Sequence, residues 1–175
     1  MNLINTYEDQ NKTNFSGTLA IDLGNTNTVI AFQGETNQKY TLVEIPNITS
    51  SPGVIPTAVW FEENSNIIKI GLSAFNMKNK LNSEIFFYSN FKRLIGNSIE
   101  INHKKSLSPT ECGEKFFQVL WKHIPQEFKI KRLVLTAPID TYKGYRQWLI
   151  NLCEDLPVEE IALVDEPTAA ALGIN

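Results

Sequence analysis

The sequence predicts an α/β fold: a mixed sheet flanked by helices, with a small α+β subdomain inserted into it. Three observations predict it. Strand-like runs at residues 19–32 and 40–45 follow one another closely, as in an antiparallel meander. Short apolar runs at residues 133–135 and 161–164 alternate with amphipathic helical patterns, as in a parallel sheet buried on both faces. Between these regions, residues 58–61 and 67–70 bracket the polar turn 62–66, the mark of a second hairpin.

Taken in order, the first elements centre on Leu19-Ala20-Ile21-Asp22-Leu23-Gly24-Asn25-Thr26-Asn27-Thr28-Val29-Ile30-Ala31-Phe32. Apolar and β-branched runs flank a small polar turn, so the stretch reads as strand, tight turn, strand. Gly24 lets the chain bend back without a Cβ penalty. Beyond it, successive backbone N–H groups and the hydroxyls of Thr26 and Thr28 can face one point, a concavity suited to phosphate. Asp22 beside such a cradle would repel phosphate unless a cation lay between, and Mg²⁺ is the usual choice. A plain surface hairpin with an Asn/Thr turn is the alternative.

Residues 1–17 are rich in Asn, Thr and charge and read as a flexible tail. Alternation over residues 40–45 predicts a third strand, stopped by Pro46, and residues 48–56 read as a loop punctuated by Pro52, Gly53 and Pro56. Helical character begins after Gly71. A further helix, capped by Asn82 or Ser83, is predicted to carry Ile85, Phe86, Tyr88, Phe91 and Leu94 and to end at Gly96. Ser108-Pro109-Thr110-Glu111 is a helix start with a capping box, and Cys112, Phe116, Leu120 and Ile124 give that helix one apolar face up to Pro125. Tyr142, Tyr145, Trp148, Leu149 and Leu152 mark the next helix, and Asp165-Glu166-Pro167-Thr168 opens a last one. A meander feeding α/β units is the plan of the ribonuclease-H-like, actin-type fold.

Composition bounds the function. With 175 residues the chain fits one domain or two small lobes. A net charge of −3 argues against a broad nucleic-acid footprint. Cys112 and Cys153 fall at apolar helical positions, as buried free thiols do, and His103 and His123 lack the spaced partners of a zinc site. No apolar run is long enough to span a bilayer and the first residues lack a signal-like region, so the expected location is cytoplasmic, with no membrane or nucleic-acid partner.

Several motifs then coincide. Residues 21–28 resemble the first phosphate loop of the actin-like ATPases. Phe91-Lys92-Arg93-Leu94-Ile95-Gly96 resembles the Lys-Arg-Leu-Ile-Gly block of the seventy-kilodalton heat-shock chaperones (DnaK type). Pro56-Thr57-Ala58-Val59-Trp60-Phe61 is similar to their Pro-Ser-x-Val-x-Phe strand, and Thr136-Ala137-Pro138 with Arg146-Gln147 to their Val-Pro-Ala-Tyr…Arg-Gln segment. Asp165-Glu166-Pro167-Thr168-Ala169-Ala170-Ala171-Leu172-Gly173 is nearly their Asn-Glu-Pro-Thr-Ala-Ala-Ala-Leu signature. On these motifs the chain resembles the heat shock protein 70 family, as the N-terminal lobe of its nucleotide-binding domain over residues 18–175. The inserted subdomain then covers about residues 46–107.

The resemblance implies a chaperone that couples hydrolysis of ATP to ADP to protein folding in the stress response, with Mg²⁺ as cofactor and client peptides and co-chaperones as partners. Gly24, Asn25 and Thr26 would bind the β/γ-phosphates, and Asp22 would hold Mg²⁺ through water. Lys92 would stabilise the transferring phosphoryl group and Glu166 would order or deprotonate water. Pro138 and Arg146 would couple nucleotide state to the substrate-binding domain. Each has a plainer reading: Lys92 and Arg146 as solvated helix charges, Glu166 as a first-turn acid, Pro138 as a strand terminator. Asn25 departs from a family threonine, Asp140 from a tyrosine and Lys143 from an acid. The family's second lobe, with its second glycine-rich phosphate loop, is absent from these residues, so the isolated chain is expected to bind ATP weakly and to be inactive alone. The alternatives are an actin-like filament ATPase lobe and a non-catalytic interaction module.

Overall fold

The computed structural model describes residues 15–36, 39–96, 107–138 and 143–168. Two sheets hold them together. Strand β1 (Phe15–Leu23) pairs antiparallel with β2 (Asn27–Gly34), whose outer edge is shared by β3 (Thr41–Leu42) and β4 (Val54–Pro56). The other edge of β1 pairs in parallel with β8 (Phe128–Ala137), and β8 in parallel with β9 (Glu160–Asp165). The order β3-β2-β1-β8-β9 is the mixed sheet expected from the meander and the later apolar runs. A three-stranded antiparallel sheet, β6-β5-β7, is built from β5 (Ala58–Glu62), β6 (Ile67–Ile70) and β7 (Ile85–Ser89). The helices are α1 (Gly71–Asn76), α2 (Pro109–Lys122) and α3 (Lys143–Cys153).

Alternation fixes the core. Leu19, Ile21 and Leu23 of β1 lie beside Phe32, Ile30 and Thr28 of β2, and Leu133 and Leu135 of β8 continue the same face. Phe116 and Leu120 of α2 and Tyr145, Leu149 and Cys153 of α3 are buried in the same cluster, as are Val59, Phe61 and Ile70 of the smaller sheet. Ser108 caps α2 as its sequence demands: its hydroxyl accepts from the Glu111 N–H while the Glu111 carboxylate accepts from the Ser108 N–H.

Five expectations need correction. The third strand shrinks to Thr41–Leu42, because the Val43 carbonyl accepts from Gly53 and Val54–Pro56 takes over the pairing along β2. Part of the supposed loop 48–56 is therefore strand, reached through Gly53 at φ +69°. The predicted helix over residues 82–94 is strand β7 followed by a 3₁₀ turn at Lys92–Leu94. The run Ile85-Phe86-Phe87-Tyr88 satisfies both periods, and its β-branched and aromatic side chains favour pairing with β5. Gly96 still ends the segment, at φ +77°. Phe15 and Ser16, read as tail, open β1 opposite Phe128 and Lys129, whereas residues 1–14 lie outside the described residues. The apolar run of β9 is only half-buried, since it borders a single described strand and Ile161 is exposed.

One contact sets the position of α3. A Cβ on Gly144 would stand 2.7 Å from the Gly96 carbonyl oxygen, so two glycine backbones touch where α3 meets the 3₁₀ turn. Gly144→Ala forces these segments apart and is expected to cost about 1–3 kcal/mol in urea unfolding. Burial pushes the Cys112 thiol up to about 12 and the Cys153 thiol up to about 11. In the unfolded chain both ionise from about 8.5 upward. Their contribution to stability is thus complete below that value and is lost as pH climbs toward about 12 for Cys112. At pH 8 neither thiol should react with a thiol reagent until urea opens the fold.

Candidate functional site

In an open sheet of this kind, ligands bind outside the carboxyl ends of the strands, where neighbouring connections leave in opposite directions. Here that place is the end of β1, from which the chain turns to β2 on one side while β8 lies on the other. A cavity of about 410 Å³ occupies it. Asp22 from the end of β1, Pro138 just after β8 and Glu166 just after β9 form one wall. Gly24 and Asn25 of the β1–β2 loop, Lys92 and Arg93 of the 3₁₀ turn and Tyr145 of α3 complete it.

The loop is held from below. The Thr57 hydroxyl donates to the Gly24 carbonyl (2.9 Å) and stands 2.9 Å from the Thr28 hydroxyl, which must then be the donor between them. The Thr57 N–H donates to the Thr26 carbonyl at 2.8 Å. Gly24 is needed for close approach rather than for left-handed backbone, because a Cβ there would sit 2.1 Å from the Asn27 carbonyl oxygen. Thr28 corrects an expectation: its hydroxyl is wholly buried against Thr57 and does not face the concavity. Thr26 is exposed and lies off the cavity wall. The Asn25 amide donates to the Asn90 carbonyl oxygen (Oδ1) at 2.9 Å, tying the loop to the residue after β7, and its own Oδ1 is buried without a partner among the described residues. Asn90 can serve there because it takes φ +57°, which Asn tolerates.

Lys92 is 9% exposed, and its ammonium meets Glu166 Oε1 at 2.5 Å, across 74 residues of sequence. The same ammonium lies 5.3 Å from the centroid of the Tyr145 ring. Asp22 accepts from the Thr136 hydroxyl at 2.5 Å. Lys92 and Glu166 therefore converge on the cavity with Asp22, Gly24, Asn25 and Pro138. Arg146 does not. It donates to Asp165 at 2.7 Å, beside Glu166 in sequence, in a pair whose partners are each about two-fifths exposed and which adds little stability. Asp140 lies outside the described residues, and Lys143 opens α3. Arg93 and Tyr145 are cavity residues that sequence reasoning did not single out. Arg93 had a signal in its adjacency to Lys92, whereas Tyr145 shared the apolar spacing of a helix face and gave none.

The pattern of donors says what the cavity accepts. Two cations and two carboxylates balance, so an added phosphate needs either a further cation or release of Lys92 from Glu166. Among the described residues no three His, Cys, Asp or Glu side chains gather. The exposed Asp22 carboxylate could supply one ligand, with waters and phosphate oxygens the others, a donor set that would suit Mg²⁺ rather than a protein-caged metal.

The chain is 29% identical over 160 residues to the chaperone protein DnaK of Mesomycoplasma hyopneumoniae (strain 232), covering 90% of this chain and 25% of that protein. It is 28% identical over 162 residues to DnaK of Metamycoplasma hominis, covering 90% and 26%. The chain thus spans about a quarter of the length of the curated relatives it matches. Among solved structures it is similar to MreB5 of Spiroplasma citri bound to ADP, with a TM-score of 0.61 and 16% identity over 90% of this chain and 40% of that one. No protein-family profile matches it. Likeness in sequence and in fold together support a heat-shock-70-type (DnaK-like) lobe on the actin-like, ribonuclease-H-like α/β plan.

Thr57→Val removes the donor to Gly24 and leaves the buried Thr28 hydroxyl unpartnered. A loss of about 1–3 kcal/mol in denaturant unfolding is expected. Thr57→Ser keeps both bonds and should recover most of it.

Proposed function

We propose that this lobe forms the first wall of an ATP/ADP site and belongs to a heat-shock-70-type chaperone that couples ATP hydrolysis to protein folding. The observation that carries it is the convergence of Asp22, Gly24, Asn25, Lys92 and Glu166 on one cavity at the carboxyl ends of three strands. The similarity to DnaK over 90% of the chain supports it. The lobe is proposed to begin with β1 at Phe15 rather than at residue 18, and its inserted subdomain, expected over about residues 46–107, is represented by the three-stranded sheet with α1, since Val54–Pro56 pairs with β2 of the larger sheet.

In this reading the loop of Gly24, Asn25 and Thr26 cradles the phosphates through N–H groups beyond Gly24, whose own N–H is donated to the Asp22 carbonyl at 3.0 Å. The Asn25 side chain plays another part, since its amide is spent on Asn90. Asp22 holds Mg²⁺ through its hydration shell, and that ion neutralises charge on the phosphates when bound. Lys92, already dehydrated and fixed, stabilises charge on the transferring phosphoryl group at little reorganisation cost. Glu166 positions the attacking water or takes its proton. Pro138 reports the cavity's state to the chain after β8, and Arg146, through Asp165, holds the strand end that carries Glu166. Unfolded client peptides and co-chaperones are the partners of the longer protein.

Calorimetry of the 175-residue chain with Mg·ATP tests this. One wall gives weak binding, with a Kd of roughly 0.1–1 mM, and no measurable turnover. Lys92→Ala should weaken binding about tenfold or more, the worth of a hydrogen bond to a charged group. Tight binding indifferent to Lys92→Ala, or steady hydrolysis by the wild-type chain, would overturn the reading. The occupied Asn25 amide favours a second one, a lobe kept for interaction after losing chemistry. It predicts no Mg·ATP binding at all. Sedimentation in nucleotide would reveal a filament-forming protein instead.

A further inference from the structure

Tyr145 is one of the most deeply buried side chains among the described residues, 1% exposed, yet its hydroxyl has no hydrogen-bond partner among them. A buried phenol normally finds one, and an orphaned hydroxyl carries a desolvation cost that nothing in the free fold offsets. The residue belongs to the cavity wall together with Asp22, Lys92 and Glu166. Its position is not adaptable. Gly144, its neighbour, is jammed against Gly96, and Tyr145 packs on Trp148 at 5.3 Å between ring centroids.

We propose that Tyr145 is a further ligand-binding residue of this site, its ring holding the Lys92 ammonium and its hydroxyl donating to a phosphate oxygen of the bound nucleotide. The assignment rests on the reading of the cavity as a phosphate site. Three features support it. The ring already lies 5.3 Å from Lys92 Nζ, so the two groups address the same volume. Burial first, and then the nearby carboxylates Glu166 and Asp22, push the phenol well above its ordinary ionisation range. A phenol is a protonated donor at physiological pH even at its ordinary value, and these surroundings only reinforce that. Finally, when phosphate draws Lys92 from Glu166, the aromatic face remains as a partner for the ammonium, so Lys92 need not return to water.

Tyr145→Phe removes the hydroxyl and keeps the ring. Thermal melting and calorimetry of the 175-residue chain, with Mg·ADP and Mg·pyrophosphate as probes, separate the cases. Without ligand the variant should melt at or above the wild-type temperature, because an unsatisfied hydroxyl has been deleted. Affinity for both probes should fall about tenfold, and the ligand-induced rise in Tm should shrink accordingly. A role confined to packing would lower the ligand-free Tm and leave affinity unchanged, which would overturn the proposal. Weakened Mg·ADP but unaltered Mg·pyrophosphate would also overturn it, placing the contact on the nucleoside. If Tyr145→Phe binds like wild type while Lys92→Ala loses binding, the phosphate site stands and the Tyr145 role falls. If wild type binds neither probe at millimolar concentration, both fall.

Discussion

The parallel pairing of β1 with β8 is the constraint on which the rest of this structure depends. Parallel neighbours cannot be joined by a tight turn, so the chain must travel over a connecting block before β8 can lie down beside β1. Here that block includes β2 through α2. The register is held by Leu19 and Ile21 against Leu133 and Leu135, all essentially unexposed, and by Phe32 stacked 4.1 Å from Phe128. Because β9 then adds to β8 in the same direction, three strands end side by side. Asp22, Pro138 and Glu166 are brought together by this geometry alone.

The cavity those ends create is electrostatically expensive. An ammonium as buried as that of Lys92 survives only with a charged partner and good geometry, and Glu166 supplies both. Removing one member would strand the other, so the pair behaves as a unit. The arrangement is poised rather than closed: Glu166 is still about two-fifths exposed, and Asp22 is anchored through one oxygen by Thr136. A ligand anion entering here would meet in Lys92 an ammonium already dehydrated and oriented, which lowers the reorganisation that binding demands.

Much of this was legible in the sequence, for local reasons. The capping box at Ser108, the hairpin around Gly24 and the apolar run of β8 are each written within a few residues. Lys92 and Glu166 were legible as members of two motifs that resemble one family's, although nothing local joins residues 74 apart. What failed was the reading of segments whose state is decided elsewhere. Ile85–Ser89 became strand because β5 had a free edge, and Val54–Pro56 did so because β2 had one. Tyr145 was rightly assigned to a buried helix face. Its presence at the cavity follows from the backbone contact of Gly96 with Gly144, which no spacing rule reveals.

The two anchors of the β1–β2 loop have a mechanical consequence. Thr57, which grips Gly24 and Thr26, stands immediately before β5, and Asn90, which takes the Asn25 amide, stands immediately after β7. Both belong to the margins of the three-stranded sheet. The loop is thus clamped at two points to one plate, with no slack residue between plate and clamp. Tilting that sheet relative to the larger one would drag Gly24 and Asn25 with it, as a crank turns a shaft. In this fold the stiffness of the loop is a property of its neighbour.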